Sequence, residues 1–271
     1  METLQLEKHK EEILVLGYTV LEDLVPEFCL DILNAKMNSD AHTLTLRGER
    51  GGYGSAEGHL QINPPPFAPY IFEEIIANKT VCAITKSILG NDLINNFYSA
   101  NTSCPNSKPQ VVHCDFGHLW KDYLGHPPVN LVVNVVLEEV TEFNGSTEIW
   151  PGSHKDFSFV CDFMDLSKNK TVPVEVLEAR RKYSPPIRLN LKKGSIVIRD
   201  PRMWHRGMPN FSNRPRHMVA MIHTSRWVDP DIPFKFHPNC KEIFDQSPIR
   251  HNIVYSAEPF DYLKDPTEYH G

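Results

Sequence analysis

Pro109-Gln110-Val111-Val112-His113-Cys114-Asp115-Phe116-Gly117 sets a histidine and an aspartate two residues apart, where a short apolar run gives way to a loop. On an extended strand, residues two apart project to the same side, so both side chains can reach one point. Two histidines and one carboxylate on one face of an iron ion, with the other face open, form the ligand set of many oxygen-activating sites. The third ligand has to come from a later strand. The best-placed residue is His205, in Gly194-Ser195-Ile196-Val197-Ile198-Arg199-Asp200-Pro201-Arg202-Met203-Trp204-His205-Arg206-Gly207. There a strand carries the chain in and Gly207 permits close backbone approach. Eleven residues later Arg216 opens the run Arg216-His217-Met218-Val219-Ala220-Met221-Ile222. An arginine at a strand start can grip a carboxylate through two parallel hydrogen bonds.

The histidine–acid spacing decides nothing alone. With 13 histidines and 34 acids, chance supplies roughly 1.6 such pairs. The chain has three: His9-Lys10-Glu11, His113-Cys114-Asp115 and His154-Lys155-Asp156. Context separates them. His9 and Glu11 fall in an expected helix, where residues two apart diverge. His154 follows Pro151-Gly152-Ser153, a turn or helix start in which Asp156 suits the first turn. Only His113 and Asp115 stand where a strand runs into a loop.

Outward from these segments, residues 3–16 read as an amphipathic helix ended by Gly17, and Tyr18–Leu21 as a short strand. Pro26 opens a second helix carrying Phe28, Ile32 and Leu33 at helical spacing. Residues 47–66, with five glycines and then Pro64, Pro65 and Pro66, read as a long loop, followed by helices at about 67–77 and 80–89. From Leu93 on, β-branched and aromatic runs alternate with turn clusters: 93–100, 109–113, 129–137, 146–150, 187–191, 195–199 and 216–224. A helical insert is expected at 173–183. Helices first and then many short strands imply an α+β, mainly β, fold: an antiparallel sandwich or barrel with helices on one face. No linker or repeat interrupts the chain, so a single domain over 1–271 is expected.

Composition narrows the function classes. The 271 residues carry a net charge of -6, which leaves no basic footprint for nucleic acid or an anionic membrane. No apolar run approaches a membrane span, and the charged stretch Met1 to Lys10 is unlike a secretory signal, so a cytoplasmic protein is expected. The six cysteines (29, 82, 104, 114, 161, 240) include no C-x-x-C pair, which speaks against a disulfide framework or a cysteine zinc site.

The metal pair, the segment Asn144-Gly145-Ser146-Thr147-Glu148-Ile149-Trp150-Pro151-Gly152-Ser153-His154, and Trp204-His205-Arg206-Gly207 followed by Arg216 together resemble the phytanoyl-CoA dioxygenase family. These are Fe(II)/2-oxoglutarate-dependent oxygenases. The likeness runs from about Gln110 to Trp227, with the N-terminal helices fitting more loosely. It implies a double-stranded β-helix (jelly-roll, cupin-like) core over 93–227. A helical buttress and lid loop at 1–92 would pack on the major sheet, and 228–271 would form a C-terminal extension. It assigns His113, Asp115 and His205 to Fe(II), and Gln110, Thr147 and Arg216 to the cosubstrate 2-oxoglutarate, with O2 as oxidant. It places His154 in a family turn. One departure is Asn134, where many members carry tryptophan. Asn130 and Asn134 share a strand face with Val132 and Val136, and Asn134 is either a hydrogen-bonded core amide or a cosubstrate contact.

The resemblance implies hydroxylation of a small metabolite or natural-product intermediate, with succinate and CO2 released. C–N or C–O cleavage follows if the hydroxyl forms beside nitrogen or oxygen. Related halogenases carry a small residue at the position of Asp115, so the carboxylate argues for hydroxylation. Two other functions compete: a metal-dependent jelly-roll oxygenase that does not use 2-oxoglutarate, and a catalytically silent binding homologue. His118, Trp120, Arg202, Trp204, Tyr53 and Tyr98 are candidates for substrate contact, with packing as the alternative for the aromatic residues. Arg47, Arg50 and Tyr53 would sit on the lid loop. A small-molecule substrate, no nucleic-acid or membrane partner, and a monomer or homodimer complete the expectation.

Overall fold

Every residue of Asn130–Val136 is buried, so this strand has no solvent face and must be covered on both sides. A computed structural model of the chain describes residues 3–48, 58–120, 125–160, 171–228 and 232–264 and shows what covers it. The strands are β1 (Tyr18–Leu21), β2 (His59–Gln61), β3 (Ile94–Ser103), β4 (Asn130–Val136), β5 (Glu148–Ile149), β6 (Ile187–Arg188), β7 (Ile196–Arg199), β8 (His205–Arg206) and β9 (Arg216–Thr224). Beyond them lie β10 (Phe234–Phe236), β11 (Arg250–His251) and β12 (Ile253–Tyr255). The 7-stranded sheet runs β1-β7-β4-β9-β3-β11, with β2 also on β3. Its pairs are antiparallel except β11 with β3. A 3-stranded sheet, β6-β5-β8, lies opposite. The α+β, mainly β architecture is that of the double-stranded β-helix, or jelly roll.

Alternation along β4 divides the two covers. Leu131, Val133 and Val135 join Ile196, Ile198, Val219 and Met221 in one cluster with helical residues Leu30, Leu33, Met37 and Ile84. Those come from α2 (Glu27–Arg47) and α4 (Lys79–Leu89), packed on this face with α1 (Thr3–Leu16). On the other face Val136, Val197 and Met218 pack with Val140 and Leu191 inside the jelly roll. The outer face of the smaller sheet carries Trp150 and Trp204, covered by Val176 and Leu177 of α5 (Val174–Arg181). Among the described residues no helix is long and apolar enough to cross a membrane.

Several expectations change. In α2 the buried stripe is Cys29, Leu30, Leu33, Met37, Ala41 and Leu44, while Phe28 and Ile32 face outward. The 3.6-residue period favours the stripe that continues for four turns over the one that stops after one. The helix expected at 67–77 shrinks to α3 (Glu73–Ile76). Pro69 lacks an amide hydrogen, and Phe67–Tyr70 instead close a turn through Tyr70 N donating to Phe67 O. The expected loop 47–66 contains β2; Arg50 and Tyr53 lie outside the described residues. Residues 109–113 form no named strand and join the smaller sheet through isolated bridges of His113 to His205 and Thr171. The C-terminal extension wraps the core: Phe236, Phe244, Ile249 and Leu263 enter the helix-side cluster, and Tyr262 Oη donates to Asp40 Oδ2 on α2 at 2.9 Å.

Two histidines tie β9 to the helices. His217 contacts Thr102 Oγ1 at 2.8 Å and Asn38 of α2; His223 contacts Thr85 Oγ1 of α4 at 2.9 Å. Burial pushes both imidazoles down to about 3. Unfolded histidines take up protons near pH 6.5, whereas these stay neutral in the fold. Between roughly pH 6.5 and 3 the unfolded chain therefore binds more protons, and each site removes about 1.4 kcal/mol of stability per pH unit of acidification. The urea midpoint is expected to fall as pH drops below 6.5, and to fall less steeply in His223→Gln. Equal slopes in both proteins would contradict this.

Candidate metal and cosubstrate site

His113 and His205 are held face to face by two backbone hydrogen bonds, His113 N to His205 O and His205 N to His113 O, both 2.9 Å. Asp115 follows on the same side, and its amide donates to Pro201 O at 2.9 Å. Cys114, between the two ligand candidates, points the other way into the tryptophan cluster, as strand alternation requires. The ligand atoms of His113, Asp115 and His205 all lie within 4.8 Å of one another. Asp115 Oδ1 is 3.3 Å from His205 Nε2 and 3.9 Å from His113 Nε2.

The donor set fits a divalent metal. His113 Nδ1 donates to Val111 O and His205 Nδ1 to Met203 O, each at 2.9 Å. A carbonyl only accepts, so each Nδ1 carries the proton and each Nε2 presents its lone pair to the common point. Burial, together with His205, pushes His113 down to about 4 against the pull of Asp115, keeping it neutral near pH 7. Burial raises the Asp115 carboxyl, but Arg199 and the two histidines outweigh it and hold the group well below the usual carboxylate range. Two imidazoles with their Nε2 atoms turned to one point and one carboxylate match the facial-triad chemistry of Fe(II).

The cosubstrate candidates sit on the strands and loops next to these ligands. Arg216 starts β9 on the inner phase shared with Met218 and is 4 % exposed. Its Nη2 donates to Gly145 O at 2.6 Å, while its Nε is buried without a partner among the described residues. Burial lowers the guanidinium to about 10, so it stays charged at neutral pH. A buried cation with an unsatisfied donor fits an incoming carboxylate. Gly145 makes the cradle possible: at φ +87 a Cβ there would meet Met208 O and Ser103 Oγ at 2.9 Å. Thr147 is half-buried and precedes β5, two residues before Ile149, the cross-strand neighbour of His205; alternation puts it on the side of His205. Gln110 Oε1 accepts from Gly207 N at 2.7 Å, and a Cβ at Gly207 would strike Gln110 Oε1 at 2.7 Å and His59 Cε1 at 2.8 Å. Asn134 is buried on the inner face, where its Oδ1 accepts from Arg199 Nε at 3.4 Å.

The substrate candidates divide. His118 packs on Phe157 and His126, Trp120 on His126, and Arg202 reaches His126 while pairing with Asp200 at 2.6 Å. These three thus gather beside a cavity of about 320 Å³ lined by Arg202, His126, His154 and Phe157. Trp204 points to the outer face, against Trp150 and under the Arg180 guanidinium 5.5 Å from its ring. Tyr98 faces the helices and packs on Phe236. Neither is on the triad's side of its sheet, since each lies on the opposite phase of its strand. Tyr53 is outside the described residues.

The competing histidine–acid pairs serve structure. His9 contacts Thr19 Oγ1, and Asp156 pairs with Arg180 at 2.5 Å. Two residues near the site were not singled out from the sequence. His59 packs against Gly207 from β2, inside the expected loop, and nothing in the sequence marks it. Arg199 had a visible signal: a charge ending the apolar strand Ile196-Val197-Ile198.

The sequence pattern described as Phytanoyl-CoA dioxygenase (PhyH) matches residues 16–218. Dioxygenase af480 of Aspergillus fumigatus is 24% identical over 217 residues, covering 72% of this chain; the match spans 63% of that relative's length. In fold, the chain is similar to AviO1 from Streptomyces viridochromogenes Tue57 (TM-score 0.59, 16% identity, 85% of this chain and 99% of that one). It is also similar to EctD from S. alaskensis, solved with 2-oxoglutarate and 5-hydroxyectoine (TM-score 0.59, 17% identity, 83% and 76%).

Proposed function

The chain belongs to the phytanoyl-CoA dioxygenase family, whose members are 2-oxoglutarate-dependent non-haem iron dioxygenases, and from that premise we propose that it hydroxylates an unactivated C–H bond of a small metabolite or natural-product intermediate. The convergence of His113, Asp115 and His205 carries this reading. One atom of O2 enters the substrate and the other enters succinate, formed with CO2 from 2-oxoglutarate. Bound at the triad, Fe(II) would supply the oxygen activation that no side chain provides.

The chain's own part is placement and exclusion. The carbonyls of Val111 and Met203 orient the two imidazoles, and Asp115 completes the ligand face. Arg216 takes the distal carboxylate of 2-oxoglutarate, with Thr147 and Gln110 beside it. Val136, Val197, Leu191 and Met218 line an apolar interior that keeps bulk water from the reacting atoms. The carboxylate at Asp115 supports hydroxylation over halide transfer, because it fills the place a halide would need. A hydroxyl formed beside nitrogen or oxygen collapses by C–N or C–O cleavage. His118, Trp120 and Arg202 are the substrate-side residues this reading keeps, in a chain acting on a small molecule as a monomer or homodimer.

Adding Fe(II) and then 2-oxoglutarate without oxygen is expected to raise a weak visible charge-transfer band. Admitting oxygen with a metabolite extract should then yield succinate and a product heavier by one oxygen atom. Folded protein that gives neither band nor succinate would favour an oxygenase independent of 2-oxoglutarate, or a silent binding protein.

A further inference from the structure

The two oxygens of Asp115 face different partners. Oδ1 looks toward the two Nε2 atoms, while Oδ2 accepts from Arg199 Nη2 at 2.5 Å. Arg199 ends β7 on the inner face and is 6 % exposed, beside Val132 of β4 in register. Its Nε donates to Asn134 Oδ1 at 3.4 Å, and Asn134 Nδ2 donates to Val219 O of β9 at 3.5 Å. A line of side-chain contacts therefore joins three adjacent strands of the major sheet to one oxygen of the ligand carboxylate. A backbone bond supports the same end, since Asp115 N is held by Pro201 O, two residues past Arg199.

We infer that Arg199, braced by Asn134, is a positioning residue that keeps Asp115 a one-oxygen metal ligand by occupying Oδ2. The inference rests on the iron reading above. A carboxylate free to turn can chelate through both oxygens, and would then take a position that must stay open for cosubstrate and oxygen. With Oδ2 tied to a buried guanidinium, that turn breaks a charge-assisted hydrogen bond. Asn134 suits the bracing role because its carbonyl accepts from Arg199 while its amide donates to the neighbouring strand. The guanidinium charge opposes a cation and its grip on Asp115 favours one. Asp115 neutralises most of that charge at contact distance, so orientation dominates.

The test uses the full chain and Co(II) as a spectroscopic probe, titrated without oxygen. Arg199→Gln is expected to weaken Co(II) binding by about 10–100-fold, the usual cost of losing a partner behind a metal ligand. Its visible d–d bands should weaken as Asp115 swings to chelate with both oxygens and coordination rises. Arg199→Lys, which keeps the charge without the planar fork, should recover part of the affinity. Asn134→Leu should shift affinity and spectrum the same way by less, and should add nothing on top of Arg199→Gln. Parent-like affinity and bands in Arg199→Gln would overturn the inference. Should Arg199→Gln fail to fold by circular dichroism, Asn134→Leu decides, because it leaves every charge in place; a parent-like result there overturns the inference as well. A parent protein that binds no Co(II) at the triad would overturn the iron reading, and this inference with it, before any variant is compared.

Discussion

Asp115→Ala is expected to abolish succinate formation and to weaken Fe(II) binding by more than about 100-fold, beyond the range seen when only an outer partner of a ligand is lost. The variant removes one of three ligand atoms. It also leaves Arg199 buried beside the site without the carboxylate it pairs with. Breaking a buried pair from one side costs about 3–5 kcal/mol, toward the lower end here because Asp115 keeps a solvent-facing side. Lower thermal stability should therefore accompany the lost activity. Asp115→Asn keeps the shape and an oxygen facing Arg199, so it should regain part of the stability but not the activity. Asp156→Ala is the control. Asp156 pairs with Arg180 on the outer side of the smaller sheet, so that variant should retain turnover and metal affinity. Turnover that survives Asp115→Ala but not Asp156→Ala would show that the wrong histidine–acid pair has been assigned. Steady-state succinate release with Fe(II) titration of each variant separates these outcomes.

Arg216→Lys should raise the KM for 2-oxoglutarate by about 10- to 150-fold, as one charge-assisted hydrogen bond of two and its geometry are lost, at roughly 1.5–3 kcal/mol. Metal affinity should change little, since Arg216 bonds to Gly145 O and is not one of the three ligand residues. The lysine keeps a charge at the start of β9 but cannot hold Gly145 O and a carboxylate together in a planar fork. The anaerobic charge-transfer band should therefore form only at higher 2-oxoglutarate concentration. An unchanged KM would remove Arg216 from the cosubstrate site. A fall in kcat without a change in KM would place its role elsewhere.

Much of the site could be read from the chain because its parts are local in sequence. His113 and Asp115 are two apart, Trp204 to Gly207 is one short segment, and Arg216 follows at a fixed distance along the next strand. Strand alternation turns such spacing into geometry without further information. Local context likewise sets His113 apart from His9, in a helix, and His154, in a turn. What escaped was non-local. Trp204, a substrate candidate for its place beside His205, and Tyr98, an aromatic candidate, each point away from the triad, one under α5 and the other into the helix-side core. His59 comes from a glycine-rich loop that forms a strand only because β3 offers an edge. The helical stripe of α2 likewise depends on which face meets the sheet, which Phe28 and Ile32 could not declare.

By itself the sequence pointed to a mainly β fold with helices on one face through its periodicity, and to His113, Asp115 and His205 as a ligand set through strand context joined to the family resemblance. Only the tertiary structure decided how the ligands are held. The seat of Arg216 on Gly145 O and the line from Val219 through Asn134 and Arg199 to Asp115 are bonds between residues 65 to 85 positions apart. Their physical reason is strand pairing: β4, β7 and β9 are neighbours in space but not in sequence, and inward-facing polar side chains on adjacent strands must satisfy one another once water is gone.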